Sequence, residues 1–307
     1  MMLSRVASRI YWMARYLERA ENTARLINVN THLLLDLPKR VRLGWEPIID
    51  ITSRRDFFHT LYEAADEHNV IRFMVTDTRN SDSVLSALKT ARENTRTIRD
   101  VIPREAWEQV NVLYLNAKSN ARSVTTQRHR YEYLHSVILG VQTITGLLAG
   151  TMTQDEGYDF LRLGRNLERA DMTTRIIDVR SATLLPDMSG DFSTFENLQW
   201  ISVLKSLTAY QMYRREMRLS IRRPDVLKFL LVEEHFPRSF YHSLCQVNDC
   251  LNNLPRNKVS LQLLFQLQQK LLRTKLHELN QEALHDFIDD LQFGLIKIDK
   301  NISKAYF

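Results

Sequence analysis

Two copies of a Glu-Arg motif carry charged groups at a spacing that could support chemistry. Residues 14–29 read ARYLERAENTARLINV and residues 164–179 read GRNLERADMTTRIIDV, with nine of sixteen positions identical at an offset of 150 residues. Helical residues three and four apart share one face, so in each copy the charged residues form a stripe. The candidate site residues are charged positions of the two motifs, in these stripes and beside them: Arg15, Glu18, Arg19, Arg25, Arg165, Glu168, Arg169, Asp171 and Arg175.

The first interpretation of these charges is a structural ion-pair network. If two long helices pack together and bury the charges, removing one partner leaves the other unpaired and costs roughly 3–5 kcal/mol. We favour this interpretation, because structural networks and functional sites perturb charges in similar ways. Within each copy, Glu21/Arg25 and Asp171/Arg175 form i,i+4 pairs. Such pairs contribute only about 0.3–0.5 kcal/mol each when exposed.

The second interpretation is a binding site for an anion or a peptide carboxylate. The guanidinium group is a planar fork of donors that matches a carboxylate or phosphate bidentately. The forks would be Arg15, Arg19, Arg165 and Arg169. The stripe around Arg15 and Arg165 is then the predicted surface for a protein partner.

Two Glu-x-x-His sequences also occur at an offset of 150 residues: Glu132/His135 and Glu282/His285. Carboxylate-bridged di-metal bundles use two such pairs and one further glutamate from each of two other helices. Glu18 and Glu168 could supply these. The spacing can equally be retained for packing, so the prediction is that the protein holds no metal and no other cofactor.

Other chemistries find little support in the residues. The sequence has no P-loop and no Gly-x-Gly-x-x-Gly, so ATP binding by this chain is not expected. No Cys/His spacing suits zinc, and nothing resembles a nucleophile elbow. One basic cluster, with Tyr210 and Tyr213 nearby, gives nucleic-acid binding as a weak alternative only: Arg214, Arg215, Arg218, Arg222 and Arg223.

The elements that must position these groups are helices. Glycine (8) and proline (7) are scarce in 307 residues, which disfavours many short strands and turns. Apolar residues recur at heptad spacing on the first helix and on its copy: Ile10, Met13, Leu17, Ala20, Ala24, Ile27, Thr31 and Leu34, then Phe160, Leu163, Leu167, Ala170, Thr174 and Ile177. The predicted helices are Ser4 to about Leu35, Arg55–Glu67, Val70–Val75, Asn80–Val101, Pro103–Asn120, Tyr131–Leu148, one opened by a Thr153-x-x-Glu156 capping box, Phe195–Ile221, Pro224–Glu233, Pro237–Leu254, Lys258–His277 and Gln281–Ser303.

Repetition sets the expected organisation. Further segments match in the same order: Asn69–Val75 with Asp225–Leu231 at 156, Ile102–Arg104 with Leu254–Arg256 at 152, and Glu132–His135 with Glu282–His285 at 150. We therefore predict an all-α fold with two pseudo-symmetric six-helix halves from an internal duplication. The first repeat is residues 1–150 and the second is residues 151–307. Pro38 should follow the first long helix, and Pro186 and Gly190 should end its copy.

Composition narrows the cellular compartment and the classes of partner that we expect. The net charge of +6 is spread among interspersed acidic residues, which is typical of a solvated surface. Cys245 and Cys250 form no disulfide framework, which favours a reducing compartment. Arg5 and Arg9 interrupt the apolar core that a signal peptide needs, and the apolar stretch Val137–Gly150 is too short to span a bilayer. We expect a cytoplasmic protein without membrane contact.

The sequence resembles the bacterial alpha-E domain family, a helical domain named for its Glu-Arg motif. The resemblance covers essentially the whole chain and rests on these segments: Met2–Ala7, Trp12, Arg15–Arg25, Ala91–Arg96, Gly150–Met152, Leu163–Met172, Phe229–Leu231 and Phe236–Ser239. It implies genomic association with circularly permuted ATP-grasp ligases and transglutaminase-like proteases, in a setting of peptide or amide synthesis and processing. It transfers no reaction to particular residues.

Two main functional expectations follow. The first is an accessory or scaffold protein that presents an Arg/Glu-lined groove to a peptide or to an ATP-grasp ligase, with a transglutaminase-like protein as a further partner. The second is an enzyme, metal-dependent through the Glu/His pairs, that acts on the peptide or amide product. A metal measurement separates the two.

Overall fold

Helices form most of the described backbone, which confirms the predicted all-α fold. The computed structural model describes residues 2–36, 44–182, 192–217 and 221–307, and no β-strand occurs among them. Pro38, Pro186, Gly190 and Arg218 lie outside the described residues. The helices of the first half of the chain are α1 Ser4–Asp36, α2 Glu46–Ile51, α3 Arg55–Leu61, α4 Glu67–Ile71, α5 Val84–Arg96, α6 Arg104–Asn120 and α7 Gln127–Thr151. Those of the second half are α8 Glu156–Ala182, α9 Phe192–Ser206, α10 Tyr210–Met217, α11 Arg223–Val232, α12 Phe240–Asn253, α13 Lys258–Arg273 and α14 Gln281–Tyr306.

Each half therefore has seven α-helices in the described chain, one more than predicted. In the first half, the additional helix is α2, and Pro47 occupies its first turn, where the missing backbone N–H costs no helical hydrogen bond. In the second half, the predicted helix Phe195–Ile221 is broken between α9 and α10. Thr208 adopts a left-handed conformation there, with φ of 56°. No glycine or proline lies at this break, so residue type did not predict it.

Side-chain caps explain where three helices begin. Ser83 accepts a hydrogen bond from the Ser86 nitrogen and starts α5, later than Asn80. Ser239 accepts from the His242 nitrogen and starts α12, later than Pro237. At α8, Asp155 accepts from the Gly157 nitrogen at 2.9 Å. The cap is therefore Asp155, and the capping box predicted from Thr153 is wrong.

The apolar seam predicted for the long helices is largely buried. On α1 the residues from Ile10 to Ile27 in the seam are buried, whereas Thr31 and Leu34 near its end are partly exposed. All six seam residues of α8 are buried: Phe160, Leu163, Leu167, Ala170, Thr174 and Ile177. Burial of an apolar side chain contributes roughly 1.5–3 kcal/mol, so these seams are a main source of stability.

The chain divides into two compact units. The described part of the first unit comprises residues 2–28, 44–168 and 306–307. In it, α6 packs against α5 and α7. A Cβ added at Gly140 of α7 would meet the Leu113 side chain of α6 at 2.6 Å, so the two helix backbones approach closely there.

The described part of the second unit comprises residues 29–36, 169–182, 192–217 and 221–305. Its helices α13 and α14 repeat the close approach. A Cβ added at Gly294 would meet the Leu267 side chain at 2.6 Å. Both Leu267 and Gly294 lie 154 residues after their counterparts Leu113 and Gly140. This correspondence is compatible with the predicted duplication, which stays a prediction.

Helix α7 is the one described helix that is long and apolar enough, by length and composition alone, to cross a membrane. It is longer than the apolar stretch Val137–Gly150. One face of the helix is buried in the first unit, including Leu134, Val137 and Ile144. Core helices of globular proteins pass the same test, so composition is weak support for a membrane segment.

Candidate functional site

The Glu168 carboxylate joins α8 to α1 within the first unit. Arg15 Nε donates to Glu168 Oε2 at 2.7 Å, and Arg19 donates through Nε to Oε1 at 2.5 Å and through Nη2 to Oε2 at 3.0 Å. Only 2% of the Glu168 side chain is exposed. Three of the nine candidate residues therefore form a buried ion-pair cluster, in which both carboxylate oxygens accept hydrogen bonds.

The cluster continues through two residues that the sequence analysis missed. Arg19 Nη1 donates to Asp82 Oδ1 at 2.7 Å, and Arg54 Nε donates to Asp82 Oδ2 at 2.6 Å. Charges of opposite sign thus alternate along a chain of five residues from Arg15 to Arg54. Asp82 precedes the start of α5 and Arg54 precedes α3, and no repeated motif in the sequence marks either of them.

A close crossing of α1 and α8 makes the cluster possible. A Cβ added at Gly164 would lie 2.2 Å from the backbone oxygen of Tyr11, so only glycine fits at this point. The crossing brings Glu168 within reach of α1. Aromatic rings then hold Arg15, which donates from Nη1 to the Tyr11 hydroxyl at 3.1 Å and lies 5.3 Å from the Trp12 ring centroid.

The electrostatics of the cluster favour the ionised carboxylate. Burial by itself raises the pKa of Glu168, but the charges and hydrogen bonds of Arg19 and Arg15 outweigh it and lower the pKa to about 2. Burial likewise opposes the charge of Arg19, and Glu168 and Asp82 overcome it, so the Arg19 pKa lies above its ordinary value. A carboxylate with so low a pKa is poorly matched to general acid or base catalysis near neutral pH.

Glu18 and Arg165 are the counterparts of Glu168 and Arg15 in the repeat. Both residues line a small cavity of about 20 Å³ in the first unit, together with Leu17 and Thr145. That volume suffices for about one water molecule. Glu18 is buried, with 2% of its surface exposed. These two candidates therefore share a small space with mainly apolar neighbours.

The remaining candidates form local contacts. Arg25 Nε donates to Glu21 at 2.9 Å and Arg175 Nε donates to Asp171 at 2.8 Å, which confirms both i,i+4 pairs. In the second unit, Arg169 Nη1 donates to the backbone oxygen of Pro237 at 3.4 Å. The structure therefore distributes the nine candidates over several separate contacts.

The two Glu-x-x-His pairs have different surroundings. In the first unit, Glu132 lies 3.7 Å from Arg128, and the His135 ring stacks on Tyr131 with centroids 5.6 Å apart. The Glu168 oxygens are engaged by Arg15 and Arg19, so Glu168 does not complete a di-metal set with Glu132 and His135.

In the second unit, His285 contacts Asp178 and Asp289 instead of Glu282. Its Nδ1 lies 2.7 Å from Asp178 Oδ1 and its Nε2 lies 3.9 Å from Asp289 Oδ2. The hydrogen bond to Asp178 and that residue's charge raise the pKa of His285. Ligand atoms from the three residues lie within 4.8 Å of one another, which is close enough for a cation.

The basic cluster of the second unit does not form a stacking surface. Tyr213 is fully buried, while Arg214 lies over the Tyr210 ring at 5.9 Å. Arg223 Nη2 donates to the backbone oxygen of Asn280 at 3.1 Å. Aromatic platforms that bind single-stranded nucleic acid must be accessible, so the burial of Tyr213 weakens this alternative.

A larger cavity in the first unit was not anticipated from the sequence. It has a volume of about 510 Å³ and lies where α4, the following π-helix Arg72–Thr76, the 3-10 turn Ala121–Thr125 and α7 meet. Such a volume is within the range of ligand sites. A π-helix is rare and often occurs at functional positions, but neither feature has a signal in the sequence.

Comparison with known proteins identifies one family and two relatives. A family model described as a predicted alpha-helical domain with a conserved ER motif matches residues 2–307. Uncharacterized proteins of Mycobacterium bovis and Mycobacterium tuberculosis are each 20% identical over 315 residues, covering 95% of this chain and 35% of the relative. The chain thus spans about a third of the length of these curated relatives. No solved structure matches.

Proposed function

The chain belongs to the Alpha-E family, and from this premise we propose that it is a helical accessory or scaffold protein that works with an ATP-grasp-type peptide or amide ligase in the cytoplasm. The partner class comes from the sequence resemblance, which also implies a transglutaminase-like protein. Peptide or ligase binding, and not catalysis by the Glu-Arg motif, is the proposed activity.

The state of Glu168 is the observation that carries this proposal. Its two oxygens accept hydrogen bonds from Arg15 and Arg19, and the side chain is excluded from solvent. A catalytic carboxylate must reach its substrate, and a binding fork must offer free donors. The motif therefore supports a structural role that braces α1 against α8 in the first unit, which is what a scaffold requires.

Arg15 is occupied by contacts within the chain, so we place the proposed partner surface elsewhere than on the stripe around Arg15 and Arg165. Only 11% of the Arg15 side chain is exposed. The second unit offers a different surface on the antiparallel helices α13 and α14. Phe265 and Phe293 are each 61% exposed, and Ile296 is 42% exposed. Exposed aromatic side chains are enriched at protein interfaces.

Internal contacts of the second unit set the register of α13 against α14. Ser260 Oγ donates to Asn301 at 2.7 Å, and Leu267 packs at Gly294. This antiparallel register places Phe265 level with Ile296, with Phe293 about one helical turn away. We define this group (Phe265, Phe293 and Ile296) as the apolar patch and assign ligase binding to it.

Co-purification with the ligase encoded by a neighbouring gene tests the proposal. The double variant Phe265→Ser/Phe293→Ser should lose at least about tenfold in ligase affinity, because buried aromatic anchors dominate interfaces. The matched control is Val112→Ser/Leu115→Ser, which removes two exposed apolar side chains from α6 in the first unit. Equal ligase binding by all three folded proteins would reject the apolar patch, and no binding by the wild type would reject the ligase partner.

ATP turnover provides a second test. The sequence has no phosphate-cradling loop, so the purified chain should not hydrolyse ATP by itself but should raise the rate of the ligase. Turnover by the isolated chain that persists after removal of contaminating proteins would contradict the scaffold proposal.

The Asp178–His285–Asp289 cluster favours one alternative, a metal-dependent enzyme acting on the peptide or amide product. Two carboxylates and an imidazole are suitable ligands for a divalent transition metal. The His285–Asp178 bond also accounts for the cluster without an ion, so we keep the scaffold as the proposed function.

A further inference from the structure

The cavity of about 510 Å³ in the first unit has a predominantly basic lining. Its charged and polar wall includes Glu67, His68, Arg72, Arg122 and Arg130, and Ile71 and Val124 supply apolar surface. Three arginines against one glutamate give the cavity a net positive charge. Clefts lined by one sign of charge concentrate ligands of the opposite sign.

Arg130 is the fixed element of this wall. The residue is 4% exposed. Its Nε donates to the backbone oxygen of Val124 at 3.2 Å, its Nη1 donates to Glu67 Oε1 at 2.6 Å, and its guanidinium carbon lies 5.9 Å from the Trp45 ring centroid. These contacts hold the fork in one orientation, and a preorganised fork loses little entropy when it binds.

One donor of this fork is unused. Arg130 Nη2 forms no hydrogen bond within the described parts of the chain. An anionic oxygen entering the cavity would satisfy Nη2, and the exposed side chains of Arg72 and Arg122 would add further donors.

Local structure places Arg72 and Glu67 at the wall. Asp66 caps α4 by accepting from the Asn69 nitrogen at 2.8 Å, which sets Glu67 in the first helical turn. The helix then widens into the π-helix that begins at Arg72 and ends at Thr76, both of which line the cavity. The cavity is therefore built by ordered backbone on several sides.

We propose that this cavity binds the carboxylate of a short peptide, with Arg130 and Arg72 as its principal donors. The oxyanion is assigned from the arginines, and the apolar surface of Ile71 and Val124 suits a peptide side chain. Only the choice of a peptide over another carboxylate rests on the proposed scaffold function.

The test measures binding to the full chain in the absence of any ligase. The probes are N-acetyl-Ala-Ala-Ala with a free carboxylate, the same peptide as its C-terminal amide, and inorganic phosphate. Fluorine NMR of protein labelled with 5-fluorotryptophan reports on Trp45, whose resonance is assigned with Trp45→Phe. The free acid should shift this resonance saturably, and the amide should bind at least about tenfold more weakly.

Variants assign the donors. Arg72→Ala removes an exposed side chain, and Arg130→Lys keeps the positive charge but loses the planar guanidinium. Each variant should bind the free-acid peptide about tenfold more weakly, as expected for the loss of a hydrogen bond to a charged group. Arg128→Ala is the matched control, because Arg128 lies on the same helix and is 88% exposed. It should change the dissociation constant by less than about twofold.

The outcomes separate this proposal from the ligase partner. Equal binding of acid and amide, no shift with the acid, or unchanged binding by both Arg72→Ala and Arg130→Lys would overturn the site. Binding of inorganic phosphate in place of the peptide would overturn the peptide assignment. Failure of the ligase to co-purify would leave these measurements unaffected, because they contain no ligase.

Discussion

Two charged clusters on α8 show how differently one helix can use its ionisable residues. In the first unit, Glu168 is excluded from solvent and accepts hydrogen bonds from two arginines. In the second unit, Asp178 pairs with His285, whose side chain is 54% exposed. Both clusters join a carboxylate on α8 to cationic groups on another helix. They differ in the number of partners and in access to water.

The difference appears in the pKa values of the two carboxyl groups. Two guanidinium groups outweigh burial at Glu168 and lower its pKa to about 2. At Asp178, burial raises the pKa and the single bond from His285 only partly opposes it. A buried carboxylate is therefore stable as an anion here only because two permanent cations face it.

The largest effect should come from Glu168→Gln. The variant leaves the partly buried Arg15 and Arg19 beside a neutral amide, so the free energy of unfolding should fall by about 3 kcal/mol. Asp171→Asn is the matched control, because Asp171 lies on the same helix in an i,i+4 pair that water reaches. Chemical denaturation should show a loss below about 1 kcal/mol for the control, and a similar small loss for both variants would contradict the buried network.

Arg19→Ala should have the next largest effect. It leaves Glu168 with Arg15 alone and removes the link to Asp82, so we expect a loss on the order of 2 kcal/mol or more. Arg175→Ala removes the arginine of an i,i+4 pair with Asp171 whose side chains are 23% and 21% exposed, and should cost less. If the two variants unfolded at the same denaturant concentration, the comparison between buried and local pairs would fail.

The contribution of Glu168 to the free energy of unfolding should depend on pH in the acid range. The folded pKa lies below the ordinary value, so the stabilisation is fully present above about 4.5 and is lost as the pH falls toward about 2. The wild type should therefore lose more stability over this range than Glu168→Gln does. Parallel curves for the two proteins would show that Glu168 titrates normally.

His285→Asn should lower the stability by less, and this loss should have the opposite dependence on pH. The folded pKa of His285 is raised, so its stabilisation is present below about 6.5 and disappears as the pH rises through the higher folded value. Because His285 is exposed, the difference from wild type should stay below about 1 kcal/mol at pH 5.5 and should shrink as the pH rises. A difference that grew with pH would contradict this assignment.

The measurement of metal content should give a negative result. The purified protein should contain no stoichiometric transition metal, as predicted from the sequence. Elemental analysis that found about one ion per chain, lost in His285→Ala but kept in His135→Ala, would favour the metal-dependent enzyme. The two histidines thus make a matched pair for the experiment, since they occupy equivalent positions of the repeat.

Local patterns in the sequence predicted much of the fold and part of the site. Heptad spacing predicted the seams of α1 and α8, and i,i+4 spacing predicted the pairs Glu21/Arg25 and Asp171/Arg175, because these contacts lie within one helix. The sequence analysis also favoured burial of the Glu-Arg charges. It missed Asp82 and Arg54, which join the cluster from distant parts of the chain and carry no periodic signal.

The sequence by itself determined that the chain is helical, where its long amphipathic helices lie and that it belongs to the Alpha-E family. These properties depend on residue type and on spacings of three and four, which are local. Only the tertiary structure decided that Glu168 meets two arginines while Asp178 meets His285, and that Arg130 lines a cavity. Those outcomes depend on close approach between helices, as at Gly164, and on exclusion of water, which no local spacing encodes.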